Sequence, residues 1–107
     1  MKKKLLAAAC VLTIVLSAPA LAGDADAGKK KSQTCVACHG ADGNSAAPDF
    51  PKIAGQHYDY LLNALKSYKS GARKNPIMAP LVANLTQRDM EDLAAWYSSQ
   101  TGLVTKH

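Results

Sequence analysis

The 107-residue chain lacks the raw material for most site chemistries: it has three cysteines, three histidines, one tryptophan and one phenylalanine. Stretches alternating apolar and polar residues, the mark of half-buried strands, are missing, so a thioredoxin-like cysteine pair, which expects a βαβ setting, has no support. A structural zinc needs about four ligands. Cys35, Cys38 and His39 supply three, and no second C-x-x-C follows. No acid–base pair or nucleophile stands out, and the chain is not expected to be an enzyme. The apolar run at 5–16, with Thr13 as its one polar interruption, is well short of the ~20 residues of a membrane span. No basic stripe interleaved with aromatics appears, which removes nucleic acid as an expected partner. Repeats, low-complexity segments and a second domain are lacking as well.

What is present begins with an export signal. Lys2, Lys3 and Lys4 form a positive start, the apolar run follows, Ser17, Ala18 and Pro19 break it, and Ala20-Leu21-Ala22 is a small-x-small cleavage site. Cleavage is expected after Ala22, giving a signal peptide at 1–22 and one domain at 23–107 in the periplasm. A lipoprotein signal at Cys10 would leave a very short apolar stretch, with Ala7 where a large aliphatic is usual. The chain's formal charge of +5 includes three signal lysines; without them ten basic residues face eight acidic ones, a net +2. Basic residues nevertheless cluster locally, at Lys29, Lys30 and Lys31 and again at Lys66, Lys69, Arg73 and Lys74. Each run can be a solvated helix face; together they can steer an encounter with an acidic partner.

Cys35-Val36-Ala37-Cys38-His39 carries the chemistry. In a helix, residues i, i+3 and i+4 share a face, so two thiols can add to the two vinyl groups of one porphyrin while the imidazole approaches its iron. C-x-x-C-H is the signature of c-type haem attachment. One covalent haem c is expected, held through Cys35 and Cys38, with His39 as an iron ligand.

The remainder reads as all-α. Asp24 caps a first helix running from about Ala25 into the haem motif, with Gly40 near its end. Residues 40–56 are loop, punctuated by Gly40, Gly43, Asn44, Pro48, Pro51 and Gly55. A second helix covers 57–70, closed by Gly71, with Tyr58, Leu61, Leu62, Leu65 and Tyr68 on one stripe. A short helical turn is expected around 81–84. Thr86 opens the last helix with Asp89 three residues on, and Met90, Leu93, Ala94 and Tyr97 form its buried face. A domain of 85 residues is marginal on its own, so folding is expected to be coupled to the prosthetic group.

The second iron ligand decides what such a site does. Met78 lies in Asn75-Pro76-Ile77-Met78-Ala79-Pro80, where the prolines predict an extended, exposed loop. It is preferred over Met90, which belongs to a core stripe, over His57 at a helix start and over the terminal His107. A neutral thioether favours ferrous iron and raises the potential. With both axial positions filled by protein, the site passes single electrons. The alternative is a gas-binding or sensor protein with a displaceable sixth ligand.

The chain resembles the class I cytochromes c, and is most similar to small monohaem bacterial carriers and to one half of the dihaem periplasmic type. The resemblance spans 23–107. It rests on Gly23-Asp24-Ala25-Asp26-Ala27-Gly28, Cys35-Val36-Ala37-Cys38-His39-Gly40, Pro48-Asp49-Phe50-Pro51-Lys52-Ile53-Ala54-Gly55-Gln56, Met78-Ala79-Pro80 and Leu93-Ala94-Ala95-Trp96-Tyr97. It implies the cytochrome c fold, three main helices plus short turns around one covalent haem. It also implies a soluble, monomeric carrier between periplasmic or membrane oxidoreductases with acidic docking surfaces; a fixed electron-entry subunit of a larger enzyme would look much the same. Gly28 should let the first and last helices cross closely beside Trp96 or Tyr97. The Pro48 carbonyl should accept a hydrogen bond from the second ring nitrogen of His39. Lys31 and Ser32 stand where many relatives place a large aromatic, which lightens that crossing.

Overall fold

Residues 23–104, with Cys10, Val11 and Thr13, are described by a computed structural model. Apart from those three positions, the expected signal at 1–22 and the terminal His107 lie outside the described residues.

The element between Asp24 and Gly40 is two helices rather than one. α1 covers Ala25–Lys31, and the Asp24 side chain accepts from the amides of Asp26 and Ala27 at its start. α2 covers Gln33–His39. The break is at Ser32, whose hydroxyl donates to the Lys29 carbonyl at 2.7 Å. A serine that bonds its own backbone in this way competes with the helix ladder. Residues 29–34 are all polar, so no apolar periodicity marks where one helix ends and the next begins.

α3 (Tyr58–Ser70) runs from His57 to Gly71, which closes it in the left-handed conformation at φ 84°, a geometry that favours glycine. α4 (Met78–Val82) replaces the extended loop expected around Met78. The Asn75 side chain accepts from the amides of Ile77 and Met78, both at 2.9 Å. Pro80 falls in the first turn, where its missing N–H would have had no intrahelical partner. Pro76 thus precedes a short helix and Pro80 is accommodated in its first turn. α5 (Gln87–Ser98) opens with the expected reciprocal cap between Thr86 and Asp89.

All elements among the described residues are helical. α5 is the spine. Its Met90, Leu93, Ala94 and Tyr97 are buried, and Leu61 of α3 packs against the last three. On the other side α1 crosses at Gly28, where an added Cβ would sit on the Asp92 carbonyl and 2.8 Å from the Trp96 Cβ. Only glycine permits that approach, and of the two aromatics considered it is Trp96 that packs there.

The crossing is tied by charge as well. Asp92, 1% exposed, accepts from the Asp24 amide at 2.8 Å and pairs with Lys31 Nζ at 2.6 Å and Arg88 Nε at 3.0 Å. Lys31 also reaches Asp89 at 2.9 Å. Burial opposes ionisation of Asp92, yet Lys31, the Asp24 amide and Arg88 outweigh it and hold its carboxyl below the usual carboxylate range. Lys31 therefore ties the helix crossing through α5 carboxylates, while Ser32 bonds its own helix.

The irregular segment from 40 to 57 is anchored to this frame. Gly43 carbonyl accepts from Ile53 and Ala54, the Tyr97 carbonyl accepts from Gly55, and the Ala54 carbonyl accepts from Leu103. A loop so placed satisfies its backbone groups and holds residues 49–53 against α2.

Candidate haem-binding site

α2, α3, α4, α5 and the loop at 49–53 surround a largely apolar cavity of about 350 Å³. α2 contributes Cys35, Cys38 and His39 from one face, α4 contributes Met78, and α5 contributes Leu93, Ala94 and Tyr97. Leu61, Ala64, Leu65 and Tyr68 of α3 close one wall. The four residues singled out for attachment and ligation thus meet in one place, although Met78 is 39 or more positions from the motif in sequence. Met90 is buried in the core and does not line the cavity, nor does His57.

His39 is 8% exposed, and its Nδ1 lies 2.9 Å from the Pro51 carbonyl oxygen. A carbonyl can only accept, so Nδ1 carries the proton and Nε2 keeps a free lone pair. The partner expected for this nitrogen was the Pro48 carbonyl, and the structure corrects that: Pro48 is exposed and does not line the cavity, and Pro51, three residues on, takes the role. Both prolines sit in irregular backbone, where no periodicity indicates which carbonyl turns inward.

Cys35 and Cys38 are not joined in a disulfide. Burial pushes the Cys35 thiol up from its ordinary value, against the opposing influence of the neighbouring Thr34 and Tyr97 hydroxyls. The Tyr97 phenol is also raised, first by burial and then by the neighbouring Cys35. Its hydroxyl is buried without a hydrogen-bond partner, an expensive state for a polar atom unless something in the cavity meets it.

Together these features fit a haem: two sulfurs on one helical face, an imidazole with its tautomer fixed, a thioether from another element and an apolar enclosure. Among the described residues no cluster of three or more His, Cys, Asp or Glu could hold a bare metal ion. No described helix is long and apolar enough to cross a membrane.

The basic residues divide differently from the sequence pattern. Lys31 is held by α5 carboxylates and Lys29 lies 5.4 Å over the Trp96 ring, so this run belongs to the helix crossing. Lys69 donates to the Leu85 carbonyl. Lys52 and Arg73 line the cavity, Arg73 stacked 4.8 Å over Tyr68, with Asp49 as an acidic neighbour on the same wall. Lys52 belonged to no basic run and carried no signal beyond its charge.

A family profile described as Cytochrome c matches residues 25–101. The chain is 52% identical over 79 residues to cytochrome c4 of Pseudomonas aeruginosa, covering 74% of this chain and 39% of that protein. It is 48% identical over 82 residues to cytochrome c-554(548) of Halomonas halodenitrificans, covering 74% of this chain and 99% of that protein. Among solved structures, reduced recombinant cytochrome c4 from Pseudomonas stutzeri superposes with a TM-score of 0.73 at 48% identity, over 78% of this chain and 48% of that one. The chain therefore spans less than half the length of the cytochromes c4 it matches, and nearly all of the shorter relative.

Proposed function

The chain belongs to the cytochrome c family, and its C-x-x-C-H motif carries one covalent haem c through Cys35 and Cys38; from that premise we propose that it is a periplasmic carrier of single electrons, not an enzyme, with His39 and Met78 as the two axial ligands. When bound, the haem supplies a one-electron ferric–ferrous couple. The observation that carries the reading is that His39, with Nδ1 committed to the Pro51 carbonyl, and Met78 line the same apolar cavity. His39 would hold the iron through Nε2, and the Pro51 carbonyl fixes the ring's orientation and raises its basicity. Met78 would offer the iron a neutral sulfur, which favours the reduced state, and would compete with a diatomic ligand. The apolar wall from α3 and α5 excludes water, which lowers the cost of carrying the ferrous state relative to the more highly charged ferric one.

Lys52 and Arg73 at the cavity wall set the sign of the field around it and suit a redox partner with an acidic docking surface. The cleaved signal at 1–22 accounts for export. The gas-binding alternative requires a displaceable sixth ligand, and Met78, capped into α4 through Asn75, argues against one.

The test is a redox titration of the purified haem-bearing protein, with and without carbon monoxide. The reading expects one reversible one-electron step and a ferrous spectrum that carbon monoxide leaves unchanged, while Met78→Ala gains a carbon monoxide adduct. Tight, reversible binding to the unsubstituted ferrous protein would move the assignment to the gas-binding class.

A further inference from the structure

Three buried polar atoms among the described residues lack a hydrogen-bond partner: the Tyr58 hydroxyl, the Trp96 indole nitrogen and the Tyr97 hydroxyl. Of the three residues only Tyr97 lines the cavity. It is 4% exposed, so water cannot satisfy it, and its ring is fixed by the Leu61–Leu93–Ala94 cluster. Cys35 packs against that same cluster and lines the cavity beside Tyr97, and Cys35 and Ser32 are the polar neighbours that the phenol senses. Ser32 gives its own proton to the Lys29 carbonyl and does not line the cavity; Cys35 does. Attachment changes what Cys35 can offer. Its S–H adds across a vinyl group, forming one S–C and one C–H bond as the π bond breaks, and the product sulfur has lone pairs and no proton. Tyr97 then faces a neutral acceptor across the cavity wall.

We propose that in the haem-bearing protein the Tyr97 hydroxyl donates a hydrogen bond to the Cys35 thioether sulfur, and that this bond tunes the reduction potential upward. The positive end of the O–H dipole points toward the haem periphery. In a poorly polarisable interior such a dipole is weakly screened and favours the form carrying the added electron. Tyr97 is thus a tuning residue on α5, distinct from the axial ligands. The proposal rests on the covalent-haem and electron-carrier reading above.

Tyr97→Phe removes the hydroxyl alone and keeps the ring packing. The haem-bearing variant should retain both thioether bonds by mass spectrometry, show a lower reduction potential, and shift a C–S stretching band in its resonance Raman spectrum. Tyr58→Phe, which removes an equally orphaned hydroxyl outside the cavity, should change neither. In a Cys35→Ala background, with the haem held by Cys38, Tyr97→Phe should produce no further fall in potential; in a Ser32→Ala background the fall should persist. An unchanged potential and Raman band in Tyr97→Phe, an equal fall in the Cys35→Ala background, or loss of the effect with Ser32→Ala would overturn the assignment. A haem-free mass for the unsubstituted protein would instead break the covalent reading on which it depends.

Discussion

Replacing Asp92 with alanine removes one carboxylate that touches both ends of α1: the Asp24 amide at its start and the Lys31 ammonium at its last residue, with Arg88 from α5 as a third partner. Breaking a buried ion pair costs about 3–5 kcal/mol when the surviving charge is trapped. Here it is not trapped, since the Arg88 side chain is 60% exposed and Lys31, at 33%, keeps Asp89. What is lost is mainly a set of hydrogen bonds to a charged acceptor, each worth about 1.5–3 kcal/mol net in favourable cases, with the amide at the start of α1 left without its acceptor. An overall loss of about 2–3 kcal/mol follows, a large share of the ~4–13 kcal/mol expected for a domain this small. At ~4–8 °C per kcal/mol for such a domain, the haem-bearing Asp92→Ala protein should melt about 8–24 °C lower by far-ultraviolet circular dichroism. Asp92→Asn, whose amide oxygen can still accept from Asp24, should fall between. A melting point within about 2 °C of the parent, well under the shift of one such bond, would show that the tie is ornamental and that apolar contact at Gly28 and Trp96 holds the crossing alone.

The same cluster fixes the acid behaviour. Asp89, held by the Thr86 amide and then by Lys31, titrates at about 2, and Asp92 is likewise lowered. Carboxyls depressed in the folded state contribute stability that is complete above their unfolded value near ~4 and is lost as pH falls toward about 2; acid titration of Asp92→Ala should therefore show a shallower loss of stability over that window, and an identical slope would contradict the assignment. At the cavity wall, charge reversal at Lys52 or Arg73 should slow reduction of an acidic redox partner at low salt and converge on the parent rate near 1 M salt, where the Debye length is ~3 Å; rates insensitive to both salt and substitution would remove these residues from docking.

Much of the site was legible because its spacing is short-range. The cysteines and histidine lie within five residues of one another, and α2 has only to be helical for them to share a face. The Thr86–Asp89 cap and the Gly71 terminus are local in the same sense. Contacts closed over long separations were not legible. Nothing near Lys31 announces a carboxylate 61 positions away, so it read as part of a solvated basic run. Pro51 and Pro48 are equivalent candidates in sequence, and only the tertiary anchoring of the loop turns one carbonyl toward His39. Around Met78 the prolines point to an extended loop, and the structure has a short helix there instead. The Asn75 side chain supplies a cap that lets a single helical turn begin between them. Ser32 broke the first helix through a bond of its own side chain, inside a polar run that carries no apolar periodicity to show the break.

The most direct test of the account is the near-infrared spectrum of the ferric protein, because the carrier role depends on a protein sulfur filling the sixth position. His39 and Met78 together should give the weak thioether-to-iron band of such ligation. That band should vanish in Met78→Ala and persist in Met90→Leu, where a volume-conserving change in the core costs less than about 1.5 kcal/mol. A ferric protein without the band, or one in which Met90→Leu abolishes it and Met78→Ala does not, would contradict the ligand assignment and with it the carrier mechanism.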